Sequence, residues 1–238
     1  MMKLISKTAI VTLLVCCTTL ITKAQIGFDF SHYEIGFGAG FNQVHGAAQT
    51  QTTTPTFHLN LTYDPTPYVN IVFEAQMGRL AGGDSLTTST GRQFTADLTS
   101  FILRGQLQMG EIVDYSHSPF NNTIKNFYVS AGVGYAVSHI TSINRYSIKP
   151  VAGLYTPGVL NSQEPFIPFR IGYEFKVYNK YQQPAFKIDL GYEYNLVLSN
   201  NLDGFTSTNR FDVYTQFTIG VKFAFGGDIV SYRKQITY

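Results

Sequence analysis

The 238-residue sequence predicts an all-β fold, an eight-stranded antiparallel up-and-down transmembrane β-barrel. Three observations lead to this prediction. Eight segments alternate between apolar and polar residues, most of them are long enough to cross a bilayer, and the connections between them are mostly long and short in turn. No 11-residue window shows a convincing helical period, and no linker divides the chain. We therefore expect one barrel domain over residues 25–225.

The N-terminus has the three parts of a secretory signal peptide, which we place at residues 1–24. Lys3 and Lys7 supply the positive charge, residues 9–17 form a short apolar run, and Ala24 ends a small-residue cleavage site. The apolar run is much shorter than the roughly 20 residues of a spanning helix. A retained membrane anchor is therefore the weaker interpretation.

Removal of the signal changes the composition of the chain. Both cysteines, Cys16 and Cys17, leave with it, so the mature protein has neither disulfides nor thiolate metal sites. A lipoprotein is the alternative, but neither cysteine follows the small residue that such processing favours. Three lysines leave as well, so 14 basic residues face 15 acidic ones and the net charge is −1. This balance argues against a nucleic-acid-binding protein.

The eight alternating segments are longer than the strands of most soluble proteins. Most reach the roughly 9–11 residues that cross a bilayer when tilted, whereas soluble strands are nearer about five or six. The predicted strands are residues 33–44, 56–63, 69–78, 100–110, 126–139, 166–178, 185–198 and 211–225.

The composition indicates which face of each strand points inward. A soluble barrel with an apolar interior needs a well-charged exterior, yet charged residues make up 13% of the chain and aromatic residues 15%. We therefore expect the apolar face in lipid and the polar face in the lumen, where charges of both signs can pair. The predicted lumen charges are Glu34, Glu74, Arg104, Arg170, Glu174, Lys176, Lys187, Asp189, Glu193, Asp212 and Lys222.

Glycines fit the same interior. Eight strands enclose a lumen that is only wide enough for side chains, so large polar groups must face small residues. Gly36, Gly38 and Gly40 in the first strand, with Gly132 and Gly134 in the fifth, supply such rows. The run at residues 36–40 is not a dinucleotide fingerprint, because it lacks the final spacing and the following helix.

Connection lengths give an independent test. Outer-membrane barrels have short periplasmic turns and longer extracellular loops. The connections here run long, short, long, intermediate, long, short and long, and only the fourth, residues 111–125, breaks the rule. Aromatic residues near the strand ends are expected to form interfacial girdles; they are Tyr63, Tyr68, Tyr128, Tyr178, Tyr181 and Phe211.

With these features the chain resembles the small eight-stranded outer-membrane β-barrel family of Gram-negative bacteria, which includes the transmembrane domain of outer membrane protein A. The signal ending KAQ and the last strand GVKFAF look like members from the Bacteroidota. Such barrels often end on a terminal aromatic residue, whereas Phe225 is followed by 13 further residues. We interpret residues 226–238 as a periplasmic C-terminal extension; the alternative is a misplaced last strand that Tyr238 closes.

An enzymatic alternative comes from the end of the fifth segment. Small lipid A deacylases resemble this chain in size and carry a His-x-Ser pair with a nearby Glu as base, nucleophile and orienting residue. Here Thr141 follows His139 in place of serine, and no glutamate follows before Glu164. The histidines do not form metal-ligand pairs. We predict no enzyme activity, no catalytic, cofactor-binding or metal-ligating residues, and no cofactor.

We therefore predict a cell outer-membrane protein with a structural or interaction role through its extracellular loops, above all residues 142–165, which are rich in Tyr, Pro and Asn. The expected partners are outer-membrane lipid and lipopolysaccharide, the barrel insertion machinery and other envelope proteins, but not nucleic acid, and the protein is expected to be a monomer. Two alternatives stay open: a lipid A-modifying enzyme, and a small transport barrel or a subunit of an envelope complex. General diffusion is not expected, because eight strands leave little room for water.

Overall fold

The computed structural model describes residues 27–46, 50–84, 91–115, 118–148, 152–179, 184–199, 201–206 and 211–233. The predicted signal lies outside these ranges. Within them the chain forms eight long strands. The strands are β1 Gly27–His45, β2 Thr54–Thr66, β3 Val69–Gly83, β4 Gln93–Gln108, β5 Phe127–Asn144, β6 Asn161–Tyr178, β7 Pro184–Val197 and β8 Val213–Arg233.

Each strand pairs antiparallel with the next one along the chain, and β8 pairs with β1, so the sheet closes into an up-and-down barrel. A circuit of paired residues that leaves β1 at Tyr33 returns to β1 at Gln43, a shift of ten residues. Eight strands with this shear are tilted against the barrel axis and enclose an interior that side chains can fill. The predicted fold class is confirmed.

The connections lie at two different ends of the barrel. At the turn end, residues 67–68 join β2 to β3, and residues 179–183 join β6 to β7. At the loop end, the longer connections follow β1, β3, β5 and β7. A two-residue strand, Gln51–Thr52, extends the sheet there by pairing with Gly82 and Ala81 of β3.

The fourth connection, at the turn end, is longer because it contains two short helices. These are α1, Met109–Ile112, and α2, Pro119–Ile124. The Ser118 side chain caps α2 by accepting a hydrogen bond from the Asn121 N–H at 3.4 Å. No helix in the described ranges is long and apolar enough to cross a membrane.

Several strands extend further toward the loop end than predicted. β4 begins at Gln93 rather than at residue 100, and β5 continues to Asn144 rather than to residue 139. The reason is a change in the alternation. Phe94, Ala96 and Leu98 face inward on the same side of β4 as Arg104, so the inward row changes from polar to apolar along a single strand.

The last strand also differs from its predicted end at Phe225. β8 continues to Arg233, and residues 229–233 pair with residues 27–31 of β1 across a register shift between Ser31 and Tyr33. Two glycines at 226 and 227 interrupt the alternation in the sequence and conceal this continuation. Residues 226–233 are therefore part of the barrel wall. The periplasmic location of the tail stays a prediction, and residues 234–238 lie outside the described ranges.

Candidate functional site

The outer surface of the barrel is an apolar belt. At membrane level all eight strands carry large, apolar, exposed side chains on their outward face; Phe57 is 64% exposed and Met77 63%. Aromatic side chains border the belt. Toward the turn end they are Tyr33, Tyr63, Phe127, Phe175, Phe223 and Phe225, and toward the loop end they are Phe41, Phe57, Phe101, Tyr135, Tyr194 and Phe217.

Such a belt with aromatic borders fits a lipid bilayer, and a closed barrel leaves no sheet edge unpaired in lipid. This is the form in which proteins span the outer membrane, so the chain is located there. Because outer-membrane barrels have short periplasmic turns, the turn end is periplasmic and the loop end is extracellular.

Two of the predicted girdle residues point elsewhere. Tyr63, Tyr178 and Phe211 are exposed, but Tyr68 and Tyr128 are buried. Tyr128 lies on the inward row of β5, and its hydroxyl donates to Asp189 Oδ1 at 2.6 Å. Tyr68 packs below the barrel, where its ring centroid lies 5.7 Å from that of Tyr115. Tyr181 lies outside the described residues.

Ion pairs fill the membrane-level part of the lumen. Arg104 lies between two carboxylates, with Nη2 2.6 Å from Glu74 Oε2 and Nη1 3.1 Å from Glu193 Oε2. Next to it, Arg170 Nη2 lies 3.0 Å from Asp189 Oδ2. These side chains are at most 3% exposed. Each arginine therefore compensates the negative charge of carboxylates that are buried away from water.

A second group of ion pairs lies nearer the periplasmic end. Lys222 Nζ is 2.6 Å from Glu174 Oε1, and Lys187 Nζ is 2.7 Å from Glu34 Oε1 and 3.2 Å from Asp64 Oδ2. Sequence reasoning missed Asp64, because it assigned that residue to the turn after the second strand. A cavity of about 20 Å³ beside Glu34, Asp64 and Lys187 has room for about one water molecule.

The predicted lumen charges thus come together, with one correction. Lys176 lies at the periplasmic mouth, where Nζ donates to the Pro67 carbonyl at 2.9 Å and to Gln108 Oε1 at 2.8 Å. Asp212, however, is at the opposite end of the barrel. It precedes β8, within the last extracellular connection, and takes no part in the ion pairs of the lumen.

The glycines of β1 face the lumen as predicted and allow the polar side chains opposite to approach closely. A Cβ atom at Gly36 would lie 2.5 Å from Asn60 Oδ1 and 2.8 Å from Lys222 Cγ. At Gly38 it would lie 2.5 Å from His58 Nε2. Residues larger than glycine would therefore displace the charged interior.

Toward the extracellular mouth the interior becomes apolar. Inward side chains of the strands form a buried cluster with Leu202 and Phe205 from the last extracellular connection, which are 0% and 1% exposed. The cluster contains Val44, Leu80, Phe94, Ala96, Leu98, Ile102, Ala136, Ile140, Phe166, Val197, Leu202, Phe205 and Tyr214. We call this set the mouth cluster. Sequence reasoning missed Leu202 and Phe205, because a loop has no periodicity to reveal them.

Two aspartates bind the backbone of this last connection. The backbone N–H of Leu202 donates to Asp212 Oδ2 at 3.0 Å, and that of Phe205 donates to Asp203 Oδ1 at 3.0 Å. Burial, together with the nearby charge of Asp203, raises the pKa of Asp212 to about 7. These hydrogen bonds fix the backbone at Leu202 and Phe205, whose side chains pack into the mouth cluster.

The third extracellular connection, between β5 and β6, folds into a small hairpin. Tyr146 and Tyr155 form an antiparallel bridge, and the Ser147 N–H donates to the Leu154 carbonyl at 3.0 Å. Arg145 Nη1 secures the base by donating to the Tyr155 hydroxyl at 3.2 Å and to the Gly158 carbonyl at 2.9 Å. The Thr206 N–H donates to the Pro157 carbonyl at 2.9 Å, which joins this hairpin to the loop that closes the mouth.

This hairpin exposes apolar side chains above the membrane belt. Tyr146 is 59% exposed, Leu154 54% and Tyr155 51%. We call the exposed set the hairpin patch; its members are Tyr146, Ile148, Leu154, Tyr155, Val159 and Leu160. Tyr146 and Tyr155 adjoin each other, with ring centroids 5.7 Å apart. Adjoining exposed apolar side chains outside lipid are typical of interaction surfaces.

The residues compared with a deacylase site lie on the two faces of the wall. His139 and Thr141 lie on the outward face of β5, where His139 Nδ1 bonds with Asn161 Oδ1 and the Thr141 hydroxyl donates to the Thr95 carbonyl at 3.1 Å. Glu164 lies on the inward row of β6, opposite Ala136. Among the described residues, no three His, Cys, Asp or Glu side chains are grouped to hold a metal ion.

Comparison with known proteins finds similar chains among solved structures. No protein-family model matches the sequence, and no curated protein matches it significantly. The attachment invasion locus protein Ail of Yersinia pestis aligns over 81% of this chain and 97% of its own, with 11% identity and a TM-score of 0.46. Neisserial surface protein A aligns over 82% and 98%, with 12% identity and a TM-score of 0.47. The outer membrane protein AlkL aligns over 90% and 95%, with 12% identity and a TM-score of 0.44.

Proposed function

We propose that the protein is a closed outer-membrane barrel that interacts with other surfaces through its extracellular hairpin. The observation that carries this proposal is the hairpin patch. It is an ordered apolar surface, held by Arg145 and by the Tyr146–Tyr155 bridge, on a barrel whose interior is filled. The filled lumen and the closed mouth leave little room for a solute to pass. The side chains exposed at the extracellular end are therefore the ones that partners can contact.

The test is a variant in which Tyr146, Leu154 and Tyr155 are all replaced by serine. We expect the barrel to migrate faster on a denaturing gel when unboiled, as the parent does, but cells carrying the variant to lose binding to immobilised surfaces and to each other. A matched control replaces Met77, Leu103 and Val133, which are exposed in the lipid belt, by alanine. Unchanged cell interactions in the serine variant, together with altered solute uptake in a deletion strain, would favour a transport barrel instead.

We propose further that lipid and lipopolysaccharide surround the belt, that the insertion machinery acts during assembly, and that the barrel works as a monomer. The Bacteroidota origin rests on the residue patterns at 23–25 and 220–225. Lipid A modification is the alternative. It is not favoured, because the described contacts hold Thr141 on Thr95 and place Glu164 on the other side of the wall from His139.

A further inference from the structure

The periplasmic connection between β4 and β5, which contains α1 and α2, exposes two large apolar side chains. Phe120 is 69% exposed, more than any other large apolar side chain in the described residues, and Ile112 is 60% exposed. Both lie outside the strands, so the alternation of the barrel does not account for them. Left in water, these side chains would be an unfavourable feature.

The exposure does not come from a loosely held segment. The Gly110 N–H donates to the Lys125 carbonyl at 2.8 Å, which closes the base of the connection. Asn121 Nδ2 donates to the Asp114 carbonyl at 2.7 Å, and the Thr66 hydroxyl donates to Glu111 Oε2 at 3.0 Å. The described parts of the connection, residues 109–115 and 118–126, are therefore held to each other and to the barrel.

One aromatic side chain of the connection is turned inward. Tyr115 is 7% exposed and packs on Tyr68 below the barrel. Lys125 Nζ lies 5.1 Å from the centre of its ring. Tyr115 is thus the side chain that packs the connection against the barrel, and Phe120 and Ile112 stay exposed.

A contact with the outer wall places α2 beside the lipid belt. Tyr173 lies on the outward row of β6, pairs with Phe127 of β5, and donates its hydroxyl to the Thr123 carbonyl of α2 at 2.7 Å. The Tyr173 ring also lies 4.6 Å from that of Phe175, a member of the periplasmic aromatic border. The helix therefore lies at the level where the belt meets the periplasmic lipid headgroups.

The wall next to this connection is open and apolar. A shallow groove of about 470 Å³ lies between β3 and β6, with Leu107 and Val129 among its lining residues. Leu107 is two residues before α1, and Val129 is two residues after the start of β5. A Cβ atom at Gly105 would meet no atom within 4 Å, so lipid chains can approach the wall there. The lipid-facing surface thus continues up to both ends of the connection.

We propose that the connection docks on the periplasmic leaflet, with Phe120 and Ile112 inserted among the phospholipids at the interface. Aromatic and aliphatic side chains beside a polar backbone are typical of this depth in a membrane. The partner is a phospholipid surface and not a protein, because the Tyr173–Thr123 hydrogen bond and the groove beside Leu107 and Val129 place the connection next to a wall that faces lipid. The inference rests on the position of the barrel in the membrane and is independent of the proposed extracellular interaction.

The absence of tryptophan from the chain makes a direct test available. Phe120→Trp introduces a single fluorophore, and the variant is reconstituted in phosphatidylcholine nanodiscs, which leave both faces open to solvent. Quenching is measured with iodide in the buffer and with phospholipids brominated at shallow and deep positions. Phe101→Trp in the belt and Tyr155→Trp in the hairpin patch are the matched lipid and aqueous controls. Faster migration of the unboiled protein shows that each variant is folded.

We expect Phe120→Trp to be quenched by shallow brominated lipid and to be several-fold less accessible to iodide than Tyr155→Trp. Iodide quenching equal to that of Tyr155→Trp, with none by brominated lipid, would overturn the proposal, because the side chain would then face the periplasm. Protection from both quenchers would also overturn it, because it would mean burial against protein, either a second copy or another chain. None of these outcomes depends on an extracellular ligand, so failure here is distinct from failure of the proposed function.

Discussion

The membrane-level and extracellular parts of this barrel are built from the same strands but have opposite polarity. At membrane level the interior holds Arg104 and Glu74 and the outside is apolar. Above the upper aromatic border the interior holds the mouth cluster, while outward positions carry polar residues such as Arg79 and Asp97, which pair at 3.2 Å. The membrane-level part has an apolar outside that faces lipid. The extracellular part resembles a soluble barrel, with an apolar core inside and polar residues outside.

The comparison teaches that the surroundings of the wall determine its inner row. Along β4 the inward residues change from Gln106 and Arg104 through Ile102 and the small polar Ser100 to Leu98, Ala96 and Phe94, while the strand itself continues without a break. Where the apolar residues of a strand face lipid, the alternate residues that face the interior are polar. Where the polar residues of the strand face water, the alternate residues that fill the interior are apolar.

The largest effect is expected in the membrane-level lumen. Arg104→Ala leaves the carboxylates of Glu74 and Glu193 buried without their cation, and we expect a loss of about 3–5 kcal/mol in the free energy of unfolding. The measurement is urea unfolding in lipid vesicles, followed by the gel shift of the unboiled protein. Arg79→Ala is the matched control, because its pair with Asp97 is exposed, and it should cost less than about 1 kcal/mol. Equal costs for the two variants would contradict a dry, charged interior.

A smaller effect is expected in the mouth cluster. Leu80→Ala removes buried apolar volume and should cost about 3 kcal/mol. Because the mouth cluster forms a core separate from the ion pairs, we expect the extracellular loops to become sensitive to protease while the barrel keeps its heat-dependent gel shift. Met77→Ala, three residues away but facing lipid, is the control. If the Leu80→Ala barrel instead lost its gel shift together with the protease resistance of its loops, the mouth cluster and the membrane-level lumen would unfold as one cooperative unit.

The pH dependence of the mouth should be weaker still. The pKa of Asp212 in the folded protein, about 7, lies above its ordinary value of about 4, so the closed loop binds the proton more tightly than the open loop. The closed form is therefore most stable at low pH and loses stability as the pH rises from about 4 through 7. Hydrogen exchange at the Leu202 and Phe205 amides, corrected for the intrinsic rate, should be faster at pH 8 than at pH 6. Asp212→Asn should abolish the difference; an unchanged difference would assign the titration to another group.

The smallest effect is expected at the outward pair on β5. Strains that carry His139→Ala or Thr141→Ala should have lipid A with the same acyl-chain masses as the parent, because Thr141 is bonded to Thr95 and not to His139. Mass spectrometry of lipid A, with a deletion strain for comparison, makes the measurement. A mass difference of one acyl chain between the parent and either variant would revive the enzymatic alternative.

The membrane-level part was predictable because lipid imposes a simple rule on it. The start of β3 at Val69 and the end of β6 at Tyr178 coincide with the predicted boundaries, and the predicted lumen charges other than Asp212 lie in the lumen or at its periplasmic mouth. Sequence reasoning failed at the two ends. At the extracellular end the alternation inverts at Leu98, and the closing residues Leu202 and Phe205 come from a loop. At the periplasmic end α1 and α2 are too short to show a period.

Site-directed spin labelling along β4 tests the reversal of polarity most directly. Both cysteines of the sequence lie in the predicted signal, so single cysteines at the outward positions Leu103, Phe101, Asp97 and Thr95 can be labelled selectively in vesicles. We expect labels at 103 and 101 to be more accessible to oxygen, which concentrates in lipid, and labels at 97 and 95 to be more accessible to a water-soluble nickel chelate. Oxygen-dominated accessibility as far as residue 95, or water-type accessibility at 101 and 103, would contradict the account.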